Sequence, residues 1–347
     1  MRIFKETVNR KSISILRDVP KSIEYTCGAP AIAHFHDGQS CSLGCLGCVY
    51  PRCMHFDSQD VSCGEVHAFP NDQTLNTCPV DAIAWNSETD TPIIDSEKCI
   101  NCGICINRCP VGAIFFDGSI KVNTETAPKE IKGGIDNSSI AKQAQQITSL
   151  DAIPRSGTSI IESDELFDSI YAKLLGIKSH YHNLIARNLL ISLGCRSAMR
   201  RIGDVYTRMD AIYSSADGCF GAVEVEFGRD TLDASRGILD DIAVLYTRYD
   251  IPKDQNMPLV VCLQLPNARQ GYWQVVKDIK TVEDITISTI TIGALMILNW
   301  NGCILLPDDV TYYLDYDNMS QRSIIEWQVN RPLQISDKHL GIVEPMK

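Results

Sequence analysis

The segment CINCGICINRCPVGAI, Cys99 to Ile114, carries four cysteines spaced Cys99-x2-Cys102-x2-Cys105-x3-Cys109, with Pro110 directly behind the last. Three thiols delivered from one turn of chain suit a metal–sulfur cube, whose four iron corners each need a thiolate. A fourth ligand has to arrive from elsewhere, because one short loop cannot wrap every side of the cube. The spacing therefore predicts an iron–sulfur site. The end of the segment has a counterpart upstream: CPVDAI at Cys78 recurs as CPVGAI at Cys109.

Eleven of the fifteen cysteines fall between Cys27 and Cys109. Clustering with CxxC spacing reads as metal binding rather than disulfide bonding. The other four, Cys195, Cys219, Cys262 and Cys303, stand among apolar neighbours and are expected to behave as small core hydrophobes. His55 and His67 lie near the cysteines and are read as surface or packing residues.

The repeat resembles the pseudo-twofold repeat of bacterial dicluster ferredoxins over roughly residues 38–117. That resemblance implies two [4Fe–4S] clusters with crossed ligation. Cys99, Cys102 and Cys105 would pair with Cys78, and Cys109 would complete the cluster held by the first motif. The first motif, CSLGCLGCVYPRC, departs from the family in its spacing. Cys41, Cys45 and Cys48 are the preferred trio; Cys45, Cys48 and Cys53 are the alternative, with Cys63 as a spare.

A second group of chemistry-bearing residues lies far downstream. In CFGAVEVEFG, Cys219, Gly221, Val223, Val225 and Phe227 alternate with Phe220, Ala222, Glu224 and Glu226. Period two puts Glu224 and Glu226 on one face of a strand and the apolar set on the other. Two carboxylates on one face repel unless a cation separates them. Asp210, on the preceding strand VYTRMDAIYSS, is placed to join them, and three oxygen ligands at a strand edge suit Mg²⁺ or Mn²⁺.

Around these strands the pattern alternates. TLDASRGILDDIAVLYTRYD reads as a helix with the stripe Ile238, Leu239, Ile242, Leu245, Tyr246 and Tyr249. MPLVVCLQLP reads as a buried strand, GYWQVVKDIKTV as a helix, DITISTITIG as a strand and ALMILNW as a short helix. This order resembles the PD-(D/E)XK nuclease core over about residues 160–300. The resemblance implies Asp210 as the family's Asp and Glu224-Val225-Glu226 at the Glu-x-Lys position, with Glu226 where the family carries Lys. Arg229 or Arg236 would compensate for charge. His182, or Glu165 as runner-up, would take the family's first-motif place on the preceding helix.

The fold expected is thus α/β and multidomain: an N-terminal α+β ferredoxin-like dicluster domain (1–130), a linker with one short helix (131–157), a PD-(D/E)XK-like mixed sheet flanked by helices (158–310) and a C-terminal tail (311–347). A formal charge of -11 argues against non-specific coating of nucleic acid or membranes. Within it, Lys173 to Arg208 holds seven Lys/Arg and one acid, Asp204, so the region of Arg196, Arg200 and Arg201 is the candidate DNA contact. The N-terminus is charged throughout, and ITISTITIGALMILNW is short for a membrane span. A reducing cytoplasm, with no membrane partner, is the expected setting.

Three functions fit these readings. One is a metal-dependent DNA nuclease with an iron–sulfur domain, in prokaryotic defence or DNA repair. The second is ferredoxin-type electron transfer with a docking domain, toward a redox or defence-complex protein. The third is an inactive nuclease fold serving in DNA binding or interaction. No nucleotide-binding glycine loop and no Ser/His/Asp constellation is present.

Overall fold

The computed structural model describes residues 33–36, 40–43, 45–66, 68–109, 113–116, 122–124, 138–149, 162–228, 231–305, 321–336 and 345, with the backbone alone at 33–36, 40–43, 122–124, 144 and 146–149. The chain divides into two compact units. One comprises Met1–Phe56, Asn76–Ile161 and Asn299–Gly302; the other comprises Asp57–Leu75, Glu162–Leu298 and Cys303–Lys347.

The first unit is built from antiparallel pairs: β1 (Ala33–His36) with β2 (Ser40–Leu43), β3 (Ile83–Asn86) with β4 (Thr91–Ile94), and β5 (Ile114–Phe116) with β6 (Val122–Thr124). Such short strands leave little to pack, so local polar contacts carry much of the order. Asn86 Oδ1 accepts from Glu88 N at 2.9 Å, closing the β3–β4 turn, and Asp90 completes that turn at φ 53°. The helix α1 (Ile104–Arg108) starts inside the cysteine run, and Ile104, Cys105 and Ile106 on it are buried. A further helix, α2 (Ile140–Ser149), lies in the stretch read as a linker.

The second unit holds a five-stranded mixed sheet. In chain order come α3 (Asp164–Gly176), α4 (Ser179–Ser192), β7 (Arg196–Met199), β8 (Ala211–Ser214), β9 (Phe220–Glu226), α5 (Leu232–Tyr249), β10 (Leu259–Cys262), α6 (Gly271–Glu283), β11 (Ser288–Thr291), α7 (Ile292–Trp300) and α8 (Gln321–Val329). The strand order is β11-β10-β9-β8-β7. β9, β10 and β11 run parallel, and β7, β8 and β9 antiparallel. Parallel neighbours need crossovers, which α5 and α6 supply.

Local signals explain the helix ends. Ser163 Oγ accepts from Leu166 N at 3.2 Å, and Asp164 and Glu165 fill the positive first turn of α3. From α5, Ile238, Ile242 and Leu245 pack with Tyr272, Trp273 and Val276 of α6 and with Ile212, Ala222, Val260 and Cys262 of the strands. The apolar stripe expected on α5 is narrower than read: Tyr246 stands exposed, while Leu239 and Tyr249 are partly buried against the core. Strand β9 also departs from simple alternation. Phe220, Gly221, Ala222 and Val223 are all buried, and only its end, from Glu224 to Glu226, is half-open.

Residues 57–75, which fall inside the stretch read as the ferredoxin-like domain, belong to the sheet unit. They lie along the edge strand β7, where Ser197 N donates to Asp60 O at 2.9 Å and Asp72 N donates to Met199 O at 2.7 Å. An open edge is thereby covered by chain from the same molecule. Residues 321–336, read as tail, also pack here. Glu162 is fully buried and takes both guanidinium nitrogens of Arg331, at 2.6 and 2.8 Å. No helix among the described residues is long and apolar enough to cross a membrane.

Candidate functional site

In the first unit, Cys78, Cys99, Cys102 and Cys105 line one cavity together with Thr77, Val80, Ala82, Ile83, Ile94, Ile100, Gly103 and Ile104. Four soft ligands in an apolar wall are the donor set of an iron–sulfur cubane. Burial pushes the thiols of Cys78, Cys102 and Cys105 upward, the last also through Cys102, Cys99 and Cys78 beside it. Such thiols become thiolates only when a metal brings positive charge.

Cys109 is grouped elsewhere. Burial first, and then Cys109 and Cys45, push Cys48 up to about 12. Cys53 is raised by burial and then by Cys109, Cys48 and Cys45. Cys45, Cys48, Cys53 and Cys109 thus lie within electrostatic reach of one another, and Cys53 also of Cys105. The side chain of Cys41 lies outside the described residues, as does His67. Among the described residues no three His, Cys, Asp or Glu side chains stand close enough to hold a single metal ion. Cubane ligands bind separate iron corners and so stand farther apart than that.

The CPV-x-AI repeat has a physical use at both places. Ala82 N donates to Cys78 Sγ at 3.1 Å, and Ala113 N donates to Cys109 Sγ at 3.2 Å. In each copy the sulfur receives an amide hydrogen from the residue four positions on, and at Cys78 this bond favours the charged thiolate.

Several supporting residues carried no sequence signal. Gln143 of α2 accepts from Val49 N at 2.8 Å and donates to Gly47 O at 3.4 Å, bracing the first cysteine loop. Arg108 donates to Arg52 O at 2.8 Å and His55 O at 3.1 Å, with its guanidinium 4.3 Å from the Phe56 ring centroid. Asn299 and Trp300 both donate to Cys102 O, at 2.9 and 3.0 Å.

Cys63 is no spare ligand. It is buried in the core of the sheet unit, where Sγ–H faces Arg196 O at 3.6 Å and Ile212 O at 3.8 Å, and burial pushes it up to about 12. Cys195, Cys262 and Cys303 are buried as expected of core thiols; Cys219 is half-buried.

In the sheet unit, Asp210 precedes β8 and reaches across to β9: Oδ2 accepts from Val225 N at 3.0 Å, and Oδ1 accepts from Asn183 Nδ2 at 2.8 Å. Burial raises Asp210. Burial, then Asp210 and Asp241, pushes Glu224 up to about 9. Asp241 on α5 is 2% exposed, has Oδ2 without a hydrogen-bond partner among the described residues, and is pushed up to about 7 by burial and then Asp210. The acidic group therefore includes Asp241, which helical phase alone did not single out.

Glu226 is turned to its own loop, accepting from Gly228 N. With Asp210 held by Val225 and Asn183, the three carboxylates Asp210, Glu224 and Glu226 are not gathered on one point as a ready single-ion site. His182 is engaged elsewhere: Nε2 donates to Leu174 O at 2.9 Å, and the ring stacks on Phe227 at 4.4 Å. Its neighbour Asn183 is the residue that meets Asp210. Glu165 lies on the first turn of α3.

The basic island is partly internal. Arg187 is fully buried, bonded to Asn188 Oδ1 and Thr74 O, and burial lowers it to about 10. Arg196 pairs with Glu65 at 3.1 Å, and Arg200 lies 3.5 Å from Asp210. Arg201 is exposed. Arg236 pairs with Asp233 at 3.7 Å, and Arg229 lies outside the described residues.

The cysteines lining the apolar cavity give the first unit the donor set of an iron–sulfur site. Residues 92–115 match the 4Fe-4S binding domain family. Over 43 residues the chain is 49% identical to an uncharacterized ferredoxin of Methanocaldococcus jannaschii, covering 12% of this chain and 27% of that protein. It is 44% identical over 45 residues to a tetrathionate reductase subunit of Archaeoglobus fulgidus, covering 13% and 21%. It is 37% identical over 41 residues to the polyferredoxin-like subunit of an aliphatic sulfonate oxidoreductase of Pyrococcus furiosus, covering 12% and 24%. The chain thus spans about a quarter of the length of these relatives. No solved structure matches it.

Proposed function

We propose that the chain is a ferredoxin-type electron carrier with two [4Fe–4S] clusters, and that it passes electrons to or from a redox protein. The observation that carries this is the division of the cysteines: Cys78, Cys99, Cys102 and Cys105 share one cavity, while Cys109 sits with Cys48 and Cys53. Crossed ligation ties two clusters into one short stretch of chain, close enough for electrons to pass between them. Each cluster supplies one-electron chemistry when bound. The protein's part is to bury it, to hold its thiolates with the Ala82 and Ala113 amides, and to exclude water. Two of the relatives are named as subunits of redox enzymes, which supports a redox partner here.

The test is iron and sulfide content of anaerobically prepared protein, with low-temperature spin resonance after dithionite reduction. About eight irons per chain and two interacting reduced clusters are expected. Four irons or fewer would refute the two-cluster reading.

A second reading concerns the sheet unit. The antiparallel β8–β9 pair followed by parallel β10 and β11, with Asp210 and Glu224 beside each other on adjoining elements, supports a nuclease-like domain that binds Mg²⁺ or Mn²⁺ and hydrolyses DNA phosphodiesters. Metal would polarise the phosphate and activate water. Glu226 would first have to leave the Gly228 amide. Plasmid cleavage with Mn²⁺ that disappears in Glu224→Ala is the expected result. Cleavage that survives Glu224→Ala, or is absent with every divalent metal, removes this reading and leaves the sheet unit as a docking or interaction domain.

A further inference from the structure

Asn299–Gly302 belong to the iron–sulfur unit although they lie almost two hundred residues beyond its last cysteine. Two of their side chains reach one cysteine loop. Asn299 Nδ2 and Trp300 Nε1 donate to the same carbonyl, Cys102 O, at 2.9 and 3.0 Å. Asn107 Nδ2 on α1 donates to Asn299 Oδ1 at 3.1 Å, which fixes which end of the Asn299 amide faces the loop. The indole lies against Gly103: a Cβ there would fall 2.6 Å from Trp300 Cδ1, and the loop takes φ 76° at that residue. Gly103 is thus required twice, by the left-handed turn and by the ring. Trp300 is 6% exposed and Cys102 8% exposed.

The other cysteine loop is held differently. There Gln143 spans Gly47 and Val49, and a carboxylate stands at Gly47, where a Cβ would run into Asp90 Oδ2. The amide-to-sulfur bonds are matched between the two halves of the repeat, but these braces are not.

We infer that Trp300, with Asn299, sets the reduction potential and water access of the cluster held by Cys78, Cys99, Cys102 and Cys105, making the two clusters electronically unequal. Two donors on Cys102 O draw electron density from the peptide of a ligating cysteine, which favours the cluster's reduced, more negative state. The indole bulk keeps water from the same loop. The two effects oppose each other. Loss of the N–H alone lowers the potential, whereas loss of the ring admits water that solvates the added negative charge and raises it. Trp300 and Asn299 are positioning residues here, since neither ligates iron.

The inference rests on the two-cluster reading, and its test separates the two. Full-length protein, Trp300→Phe and Trp300→Ala are reduced in a stepwise potentiometric titration followed by spin resonance, with iron counted in each sample. Phe keeps the bulk and removes the N–H, so one of the two midpoint potentials falls. In Ala the same midpoint rises, and iron passes to a chelator about tenfold faster than in the unaltered chain. The second cluster keeps its potential in both. Unaltered protein without two clusters defeats the two-cluster reading. Two clusters whose potentials match the unaltered chain in both variants defeat the role of Trp300. Should Trp300→Ala fail to retain iron, Trp300→Phe and Asn299→Asp, compared by the same titration, decide the matter. Asn299→Asp replaces that donor by a carboxylate beside the Cys102 loop, so the same midpoint falls, and unchanged potentials in both variants again defeat the inference.

Discussion

Ala82 N and Cys78 Sγ stand 3.1 Å apart, and the same relation recurs between Ala113 N and Cys109 Sγ at 3.2 Å. The CPV-x-AI repeat therefore repeats a sulfur environment, and the two sulfurs it serves sit in different cysteine groups. Cys78→Ser and Cys109→Ser should each remove one cluster, and a different one. Iron content is expected to fall from about eight to about four in both, with distinct spectra left behind. Identical residual spectra would contradict crossed ligation.

Asp90 presses its carboxylate against Gly47 in the first cysteine loop. Under the two-cluster proposal, a negative charge there would oppose reduction of the cluster that loop holds. Asp90→Asn should raise that cluster's midpoint and leave the other unchanged. Gly47→Ala is expected to lose the first cluster, because φ 66° alone costs an L-residue roughly 1–2 kcal/mol before the clash with Asp90 is counted. Redox titration and iron analysis check both.

Glu162 is fully buried and takes a two-pronged bond from Arg331 in the segment after α8, with Gln334 N adding a third at 2.7 Å. Arg331→Ala leaves that carboxylate without its cation and should destabilise the sheet unit by roughly 3 kcal/mol. Arg331→Lys restores charge without the fork and should recover only part of the loss. Denaturant unfolding followed by tryptophan fluorescence measures it; a midpoint equal to the unaltered chain would show that the tail does not brace α3.

Burial pushes Glu224 to about 9 and Asp241 to about 7, whereas free carboxylates titrate near ~4. Between those values the folded state keeps protons that the unfolded chain has released. The sign follows: stability is greatest at the acid end and falls as pH rises toward 9. In metal-free buffer, Asp241→Asn should flatten the slope of thermal midpoint against pH up to about 7 and, by removing one of the charges that raise Glu224, shrink the Glu224 portion too. A slope identical to that of the unaltered chain would mean that Asp241 is not a buried titrating group.

Much of the iron–sulfur unit was legible because its ligands are local. Cysteines two or three residues apart share a loop whatever the rest of the chain does, and the twice-written CPV-x-AI marks a matched sulfur environment. The choice among first-motif cysteines was not legible, since Cys41, Cys45, Cys48 and Cys53 offer overlapping trios. Cys63 read as a spare in sequence, yet its segment follows the edge of β7 and its thiol enters another core. His182 and Asn183 illustrate helical phase: one position separates a ring bonded to Leu174 O from an amide bonded to Asp210.

The sequence by itself determined the cysteine motifs and the strand–helix order from β8 to α7, because spacing and periodicity are properties of neighbouring residues; edge strand β7, read as a basic run, and α8, read as tail, were missed. Only the tertiary structure decided that Gln143 braces one cysteine loop while Asn299 and Trp300 brace the other, that residues 57–75 cover a sheet edge, and that Asp241 joins the acidic group. Those relations depend on which distant groups meet. Hydrogen bonds and charge repulsion act across a few ångströms of space, with no regard to how many residues of chain lie between.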